Sequence, residues 1–359
     1  MTVKRLTAHN FRNLKEIELE ADSGVNIIYG QNAQGKTNLL ECIWLFTGAK
    51  SFRGAKDTEL VSFGCESAHI AMDFTAHGRE QTARIIFTPR RQAELNGIKL
   101  ALPSKLAGEF YAVIFSPDHL SLIKDGPSER RRFLDLAIGQ LWPGYIEVLR
   151  QYNRAVSQRN LLLKKARERA ADCNTLEAFE REIARSGAVI MNYRSRYIEI
   201  LNSTAPEIYH NISGKKERLS IEYVRKEGLF TESDLAEALE SRRQQDILSG
   251  TTSVGPHRDD LEFEISGTKA GKYGSQGQQR SVVLALKLAE AQIIKQITGE
   301  QPVALLDDVM SELDTVRQDY ILNHIKGWQV LITCCDPSPI TKLINGKVFY
   351  MQGGRLCEG

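Results

Sequence analysis

The spacing of apolar residues changes along the chain, and each spacing predicts a different kind of element. Near the start, apolar residues alternate with polar ones at Ile17 and Leu19, and again at Ile70, Met72 and Phe74. Such alternation is typical of a strand with one buried face. Because several such strands come before any long helical segment, the first part of the chain is predicted to form an antiparallel β-sheet.

The middle of the chain has the spacing of helices. Two long segments with few helix breakers, Tyr145–Arg169 and Thr175–Ser203, predict helices of about 35–40 Å each at 1.5 Å per residue. Their connection, at residues 170–174, is short, so the two helices are expected to pack antiparallel as a hairpin. Pro206 is expected to end the second helix, because proline interrupts helical hydrogen bonding.

A phosphate-binding loop is predicted between a buried strand, Val25–Tyr29, and an amphipathic helix, Lys36–Phe46. Eight consecutive residues match the pattern G-x-x-x-x-G-K-[ST]: Gly30, Gln31, Asn32, Ala33, Gln34, Gly35, Lys36 and Thr37. In such a loop, backbone N–H groups and the helix N-terminus surround the phosphates, Lys36 reaches the terminal phosphates, and the Thr37 hydroxyl binds Mg²⁺. The sequence therefore predicts a site for a nucleoside triphosphate with Mg²⁺.

A second motif with the chemistry of this site lies far down the chain. The apolar run Pro302–Leu306 has the length of a buried strand and ends in Asp307 and Asp308. A carboxylate at the end of a strand beside a phosphate loop can hold Mg²⁺, which suits Asp307. Asp308 can orient or deprotonate the attacking water and is the predicted catalytic residue. Taken alone, the run could equally be an ordinary strand leaving the core.

A third motif, S-x-G-Q, stands at the start of a predicted helix. Ser275 is the natural N-cap, Gly277 and Gln278 follow it, and the small residues leave a helix N-terminus that attracts an anion. The helix is predicted from a core-facing apolar stripe: Val282, Leu286, Ala289, Ile293 and Ile297. A plain loop that caps a helix is the alternative for this motif in isolation.

The order of these motifs resembles that of the ABC-type ATPases. Ser311–Asp314, directly after the two acidic residues, is similar to the D-loop of that superfamily. The insertion between the phosphate loop and S-x-G-Q is long, and in this the chain resembles the branch of the superfamily that acts on chromosomes and in DNA repair. Segments similar to one family of that branch, the RecF family of bacterial recombination mediators, occur across the chain: Leu6–Asn13, Gly30–Glu41, Lys50–Arg53, Phe115–Asp118, Gly126–Asp135, Gly255–Asp260 and Leu305–Asp314.

This resemblance implies a fold of the α/β class. The expected architecture is an ABC-type P-loop ATPase head with a flanking antiparallel β-sheet, plus a helical second lobe that carries a short antiparallel helix hairpin. Residues 1–112 and 283–359 are expected to form the first lobe, with the phosphate loop, the strand ending in two acidic residues and the D-loop. Residues 113–282 are expected to form the second lobe, with the helical arm and the signature motif.

The resemblance also implies a function. The expected protein binds duplex DNA at gaps and at junctions of single and double strands, and it helps RecO and RecR to load a recombinase. An ATP-dependent homodimer is expected, in which Ser275, Gly277 and Gln278 of one copy close on the ATP held by Lys36 of the other. Hydrolysis is expected to be weak, to be stimulated by DNA and to act as a switch.

Two departures from the superfamily pattern fit slow turnover. A glutamate usually follows the aspartate that holds Mg²⁺, whereas Asp308 is one methylene shorter, and Thr333 stands where a histidine is expected.

Arg12, in the N-terminal turn, is a candidate for contacting the nucleotide. That it is an ordinary surface arginine is an equally good explanation. The run His257–Asp259 could sense DNA or nucleotide, and a buried ion-pair network explains it equally well.

The net charge is only +2, so DNA binding needs a local basic patch. The predicted DNA-binding residues, each of which could instead lie on a solvated face, are Arg130, Arg131, Arg132, Lys164 and Lys165.

The chain has 6 cysteines but no C-x-x-C spacing, so reduced thiols are expected and a structural zinc site is not. With no apolar run of membrane-spanning length and no secretory signal, the protein is expected to be cytoplasmic, associated with the nucleoid and independent of membranes.

Other classes of P-loop protein explain the motifs less well. A GTPase should carry an N-K-x-D motif, which the sequence does not contain. A metabolic P-loop kinase has no use for S-x-G-Q and a D-loop, and the ATPase subunit of a transporter is disfavoured by the long helical insertion. These alternatives are distinguished from the leading prediction by whether the protein binds DNA in an ATP-dependent way.

Overall fold

The computed structural model of this 359-residue chain describes residues 1–167, 173–225 and 231–358. They fall into two units, each with its own core. The first unit comprises residues 1–120, 204–218 and 276–359, and the second comprises residues 121–203 and 219–275.

Strands and α-helices occur along the chain both in runs and in alternation. The strands are β1 (Thr2–Phe11), β2 (Leu14–Glu20), β3 (Val25–Tyr29), β4 (Ala68–Ala76), β5 (Arg79–Phe87), β6 (Gln92–Leu95), β7 (Ile98–Lys99), β8 (Ala112–Phe115), β9 (Leu219–Val224), β10 (Asp260–Ile265), β11 (Thr268–Lys269), β12 (Val303–Asp307), β13 (Val330–Cys334), β14 (Lys347–Gln352) and β15 (Arg355–Glu358). The helices are α1 (Lys36–Leu45), α2 (Ser121–Lys124), α3 (Pro127–Leu141), α4 (Pro143–Arg167), α5 (Cys173–Ile212), α6 (Glu232–Ser241), α7 (Arg243–Ser249), α8 (Ala270–Tyr273), α9 (Gln276–Thr298), α10 (Thr315–His324) and α11 (Ser338–Thr341). None of these helices, within the described residues, is both long enough and apolar enough to cross a membrane.

The core of the first unit is a mainly parallel sheet in the order β15-β14-β3-β13-β12-β8. β3 pairs in parallel with both β13 and β14, although β3 lies near residue 25 and the other two lie beyond residue 329. The central strands are buried along almost their whole length, as expected for mostly apolar strands of a parallel sheet. The carboxyl ends of β3 and β12 therefore meet at one edge, which is where α/β sheets bind ligands.

A second sheet of the first unit has the order β2-β1-β4-β5-β6-β7 and is antiparallel throughout, as the alternating pattern predicted. Ile17, Leu19, Ile70, Met72 and Phe74 are all buried on its inner face. The turn between β6 and β7 is an Asn-Gly pair in which both residues have positive φ. Sequence pattern thus identified this sheet correctly.

The second unit is mainly helical and contains the predicted hairpin. Arg194 on α5 donates to the Tyr145 hydroxyl on α4 at 3.2 Å, and Arg159 on α4 pairs with Glu180 on α5 at 2.9 Å. As residue numbers rise along α4 they fall along α5, so the two helices pack antiparallel, as predicted. Residues 168–172, which include the predicted end of the first helix at Arg169 and part of the predicted connection at residues 170–174, lie outside the described residues.

The prediction that Pro206 ends the second helix was wrong. α5 continues through Pro206 to Ile212. An interior proline removes one backbone hydrogen bond and costs about 3 kcal/mol. The apolar side chains around it are almost fully buried and offset that cost: Ala205, Ile208, Tyr209 and Ile212.

The helix predicted after the signature motif is α9. Val282, Leu286, Ala289 and Ile293 are fully buried, as the apolar stripe predicted. Ile297 was also assigned to the stripe, but it is 39% exposed. It lies in the last turn of α9, which ends at Thr298, beyond the core that the earlier turns cover.

The bounds of the two units differ from the predicted lobes. Residues 113–115 of β8 pair with β12 in the parallel sheet of the first unit. The first turns of α9, from Gln276, also belong to the first unit. The predicted ATPase lobe, residues 1–112 with 283–359, and the predicted helical lobe, residues 113–282, stay a prediction.

Candidate nucleotide site

The predicted phosphate loop connects β3 to α1 in a conformation that requires glycine at two positions. Gly30 has a φ of 156° and Gly35 a φ of 114°. A Cβ at Gly30 would lie 2.3 Å from the Met351 carbonyl oxygen, and one at Gly35 would lie 2.6 Å from Leu14 Cδ2. Both the backbone angle and the available space exclude a side chain, so the two glycines are structural requirements of the loop.

Groups outside the loop fix its central residues. The Gly353 N–H donates to Gln34 Oε1 at 2.6 Å, and the Gly354 N–H donates to the Gln34 carbonyl oxygen at 3.2 Å. The Asn13 side-chain amide donates to the Ala33 carbonyl oxygen at 3.0 Å. The loop is therefore held from the N-terminal turn and from the β14–β15 turn, which prepares it for a ligand before the ligand arrives.

A chain of polar side chains extends this support to Arg53. Asn38 donates to Asn13 Oδ1 at 2.7 Å, and Arg53 donates to Asn38 Oδ1 at 3.0 Å. Arg53 is exposed, and its positive charge lowers the pKa of Asp307, although burial has the larger, opposite effect. In the sequence, Arg53 belongs to one of the segments that resemble the RecF family, and no function was predicted for it. The structure places its positive charge near the predicted metal ligand.

Lys36 lies inside the loop and is only 4% exposed. Its ammonium group donates to the carbonyl oxygens of Gly30 at 2.7 Å and Gln31 at 3.0 Å. Its Nζ is also 3.9 Å from Cys335 Sγ, and that thiol lies 3.1 Å from Asn32 Oδ1. The ammonium group is thus positioned within the phosphate-binding loop, as its predicted function requires.

The predicted metal ligands lie next to each other. Asp307 Oδ1 accepts hydrogen bonds from the hydroxyls of Thr37 and Thr333, each at 2.8 Å. Asp307 and Thr333 are register partners at the ends of the parallel strands β12 and β13. A hydroxyl and a carboxylate are hard oxygen donors of the kind that Mg²⁺ prefers, so Thr37 and Asp307 fit such an ion together with nucleotide phosphates.

Burial raises the pKa of Asp307, although hydrogen bonds from Thr333 and Thr37 act in the opposite direction. The charged form is therefore disfavoured in the folded protein, and the stability that the protonated form contributes is fully present below the unfolded pKa and is lost as pH rises through the folded pKa. We expect Asp307→Asn to raise the free energy of unfolding at pH 7 by on the order of 1 kcal/mol, because the amide oxygen can still accept both hydrogen bonds. Denaturant unfolding without Mg²⁺ measures this. An exposed carboxylate, Asp319, serves as the Asp→Asn control, and equal or lower stability of Asp307→Asn contradicts the expectation.

Asp308 has a φ of 51°, a left-handed conformation that few residues other than glycine adopt. Its N–H donates to Thr333 Oγ1 at 3.0 Å, and its carbonyl oxygen accepts from the Ser311 hydroxyl at 2.8 Å. Non-glycine residues in such conformations cost of order 1–3 kcal/mol and concentrate at functional sites. Thr333, for which the sequence suggested no function, thus holds both acidic residues.

Arg12 also lies in a left-handed turn, with a φ of 55°. Its guanidinium makes a bidentate pair with the fully buried Glu41, at 2.8 Å and 3.1 Å, and Glu41 also accepts from the Ser51 hydroxyl. The Arg12 side chain is only 18% exposed, so it is not an ordinary surface arginine. Its predicted contact with the nucleotide stays a prediction.

The signature residues lie at the start of α9. Ser275 is exposed and immediately precedes the helix. The Gly277 carbonyl oxygen accepts from Arg317 at 2.9 Å, and the Gln278 side chain donates to Glu217 at 2.7 Å. The structure therefore groups Lys36, Thr37 and Asp307 around one loop and holds the signature turn through a different set of partners. Nothing in the sequence pattern pointed to Glu217 or Arg317.

The predicted DNA-binding residues of the second unit have different environments. Arg130 pairs with Asp260 at 2.6 Å, and Arg131 donates to the Asp259 carbonyl oxygen at 2.8 Å. Arg132 is 3.5 Å from Glu129. The remaining two candidates are exposed on α4: Lys164 and Lys165. DNA binding by all five stays a prediction, and the exposed lysines are better placed to meet a phosphate than Arg130 and Arg131.

The run His257–Asp259 lies in a polar network of the second unit. His257 Nε2 lies 3.1 Å from the Thr252 carbonyl oxygen and donates to it, so Nδ1 accepts from the Tyr152 hydroxyl at 2.5 Å. Burial lowers the pKa of His257 to about 4, which keeps the ring neutral at pH 7. The Asp259 carboxylate accepts from the Tyr223 hydroxyl. Of the two interpretations left open by the sequence, these contacts favour the buried network.

Comparison with known proteins gives a consistent family. The family model described as "RecF/RecN/SMC N terminal domain" matches residues 2–352. The DNA replication and repair protein RecF of Lachnoclostridium phytofermentans is 39% identical over 361 residues, covering 100% of this chain and 99% of the relative. The RecF of Acetivibrio thermocellus is 40% identical over 361 residues and covers 98% of each chain.

Solved structures agree with the sequence relatives. A structure of the recombination mediator protein RecF with ATP, in the RecFOR pathway, has a TM-score of 0.91 at 38% identity and covers 99% of this chain and 97% of that one. The Smc head domain of Pyrococcus furiosus has a TM-score of 0.55 at 18% identity, which shows the fold alone. The expected ABC-type ATPase head is thereby confirmed, and a metabolic kinase or a transporter ATPase is no longer supported. From its full-length sequence relatives and its structural match, the chain belongs to the RecF family.

Proposed function

We propose that this chain is an ATP-dependent DNA-binding protein of DNA replication and recombinational repair, and that ATP closes two copies into a dimer. The observation that carries the proposal is the grouping of Lys36, Thr37 and Asp307 around one phosphate loop, with Thr37 and Asp307 joined at 2.8 Å. The full-length relatives are replication and repair proteins, and a structural relative contains ATP. A site built for a triphosphate in this family supports an ATP-controlled function.

In the proposed dimer, each ATP lies between two copies. Lys36 and the phosphate loop of one copy hold the phosphates, and Ser275, Gly277 and the N-terminus of α9 from the other copy approach the γ-phosphate. Positive helix ends and backbone N–H groups favour an anion, so the last phosphate supplies the negative charge that both copies need. ADP lacks that phosphate and leaves the dimer without its link.

Mg²⁺, held by Thr37 and Asp307, would neutralise charge that develops on the phosphates during hydrolysis. Asp308 would orient or deprotonate the attacking water. Its side chain is one methylene shorter than the usual glutamate, which supports weak hydrolysis that serves to reset the dimer. We further propose that DNA stimulates this hydrolysis.

The proposed DNA ligand is duplex DNA at gaps and at junctions between single and double strands, and the proposed protein partners are RecO and RecR. Linkage relates DNA to ATP: if DNA prefers the closed dimer, it must favour ATP binding by the same factor by which ATP favours DNA binding. We assign this activity to the cytoplasm, in association with the nucleoid.

A mixing experiment tests whether the site is shared. Lys36→Ala removes the phosphate lysine, and Ser275→Arg blocks the signature side of the pocket. Each variant alone is expected to be inactive, but a mixed dimer has one site with both halves intact. An equal mixture is expected to recover about a quarter of wild-type ATP turnover if copies pair at random, and up to about half if neither variant pairs with itself, because each mixed dimer has one intact site of two. Turnover is measured at saturating ATP and Mg²⁺.

Sedimentation with ATP or ADP, and retention of a gapped duplex, accompany the turnover measurement. A mixture that stays as inactive as its two components contradicts a site shared between copies. Dimer formation and DNA retention that do not depend on the nucleotide contradict the ATP-controlled clamp. The control substitution for Ser275→Arg is Ser23→Arg, in the exposed turn before β3, which adds the same bulk and charge to the same unit outside the predicted motifs.

A further inference from the structure

Two side chains from different segments hold the first turn of α9. Arg317, on α10, donates to the Gly277 carbonyl oxygen and to the Ser281 hydroxyl, each at 2.9 Å, and also pairs with Asp314. Glu217 accepts from the Gln278 amide at 2.7 Å through Oε1. The signature turn is thus fixed both through its backbone and through a side chain.

Glu217 is itself held by a buried tyrosine. Its second oxygen, Oε2, accepts from the Tyr209 hydroxyl at 2.6 Å. Burial above all, and then the hydrogen bond and charge of Glu217, raise the pKa of Tyr209, so the phenol stays protonated and donates. The Tyr209 side chain is fully buried on α5. Each carboxylate oxygen of Glu217 therefore has its own donor, one from the helix α5 and one from the signature motif.

The backbone around Glu217 is tied to the end of α5. The Glu217 carbonyl oxygen accepts from His210 Nδ1 at 3.0 Å, and the Lys215 N–H donates to the His210 carbonyl oxygen at 2.8 Å. Lys215 has a φ of 63°, which marks a tight turn. Glu217 therefore follows any displacement of the last turns of α5 as part of one rigid segment.

We propose that Glu217 is a positioning residue, which transmits the position of α5 to the signature turn through the chain Tyr209–Glu217–Gln278. The proposal rests on the proposed function, in which the signature turn of one copy closes on ATP held by the other. Glu217 does not touch ATP in this proposal. It sets the orientation of Gln278 and so of the first turn of α9.

The hydrogen bond from Gln278 to Glu217 restricts the side chain of Gln278. Gln278 has several rotatable bonds, and an unheld amide would sample many orientations; a charge-assisted hydrogen bond at 2.7 Å selects one. Tyr209 lies in the last turns of α5, which ends at Ile212. A shift of these last turns would move Tyr209 and would reach Gln278 through Glu217.

Glu217→Ala tests this inference. A fluorescent ATP analogue measures binding to the copy's own phosphate loop at protein concentrations that keep the protein monomeric. This binding is expected to stay within about twofold of wild type, because the described side-chain contacts of Glu217 are with the end of α5 and with the signature turn. ATP turnover by the dimer is expected to fall about tenfold, because the signature turn loses its fixed orientation. Tyr209→Phe, which removes only the hydroxyl, is expected to lower turnover by a smaller factor.

Two further variants separate positioning from a general loss of structure. Glu16→Ala removes an exposed carboxylate of β2 in the same unit and is expected to match wild type. Glu217→Gln keeps an oxygen that Gln278 can donate to, and it should recover most of the turnover lost in Glu217→Ala.

Four outcomes overturn the inference in different ways. Turnover of Glu217→Ala equal to that of Glu16→Ala shows that Glu217 positions nothing. An equal loss of monomer ATP binding and of turnover shows a structural defect instead, and Tyr209→Phe at wild-type turnover removes the link to α5. Wild-type protein that neither dimerises nor turns over ATP contradicts the proposed function, and with it this inference.

Discussion

Lys36→Ala is expected to lower ATP turnover at least about a hundredfold and to abolish ATP-dependent dimerisation. The ammonium group lies among the loop carbonyl oxygens at 2.7 Å and 3.0 Å, where it would meet the terminal phosphates. Alanine leaves the charge of a triphosphate uncompensated in a pocket that is largely shielded from water, and electrostatic interactions are strong there. Turnover, binding of a fluorescent ATP analogue and sedimentation with ATP·Mg²⁺ measure the loss.

A lysine outside the site provides the control for this prediction. Lys99 is exposed on β7, and Lys99→Ala removes the same charge from the same unit. We expect its turnover and dimerisation to match those of wild type. Wild-type dimerisation in Lys36→Ala would mean that the phosphate loop does not control assembly. A fall of less than tenfold in turnover would mean that another group binds the phosphates.

The largest expected effect on stability is that of Arg159→Ala, which should lower the free energy of unfolding of the second unit by about 3–5 kcal/mol. Arg159 is fully buried, and it pairs with Asp246 at 2.7 Å and with Glu180 at 2.9 Å. It also donates to the Thr252 hydroxyl at 3.0 Å. Removing the cation leaves Asp246, which is itself fully buried, without its positive partner.

Denaturant unfolding measured by circular dichroism, together with limited proteolysis of the hairpin, tests this expectation. Arg185→Ala is the matched control, because Arg185 pairs with Glu182 on the same helix hairpin but is 65% exposed. Exposed pairs of this kind contribute about 0–1 kcal/mol. A similar, small effect of both substitutions would mean that the buried network adds little to the stability of the second unit.

Much of the fold follows from local pattern. Pro302–Leu306 is an uninterrupted apolar run and Val25–Tyr29 is interrupted only by Asn26, and such runs have few alternatives to a strand buried on both faces. The strand β9, in contrast, has only two well-buried apolar positions, Leu219 and Ile221, and no strand was predicted there. The path of α5 through Pro206 was also missed, because the burial that compensates the proline comes from tertiary packing and not from neighbouring residues.

In the candidate site, too, some residues follow from local pattern and others depend on tertiary contacts. The phosphate loop and Asp307 could be predicted, since each carries its chemistry within a short segment of fixed geometry. Thr333, Glu217 and Arg317 could not, because each acts through contacts that only the folded chain creates. A threonine, a glutamate or an arginine alone has too many ordinary surface uses for its position in a sequence to indicate a function.

The pairing of β3 with β13 and β14 has a consequence for synthesis of the protein. The phosphate loop leaves the ribosome early, but the strands on both sides of β3, and the Gly353–Gly354 turn that holds Gln34, emerge roughly 300 residues later. At about 5–20 residues per second this delay is on the order of tens of seconds. During that interval the nascent chain carries an apolar strand with two unpaired edges. The ATP site can therefore form only when synthesis of the chain is nearly complete, because the strands and the turn that hold the phosphate loop emerge last.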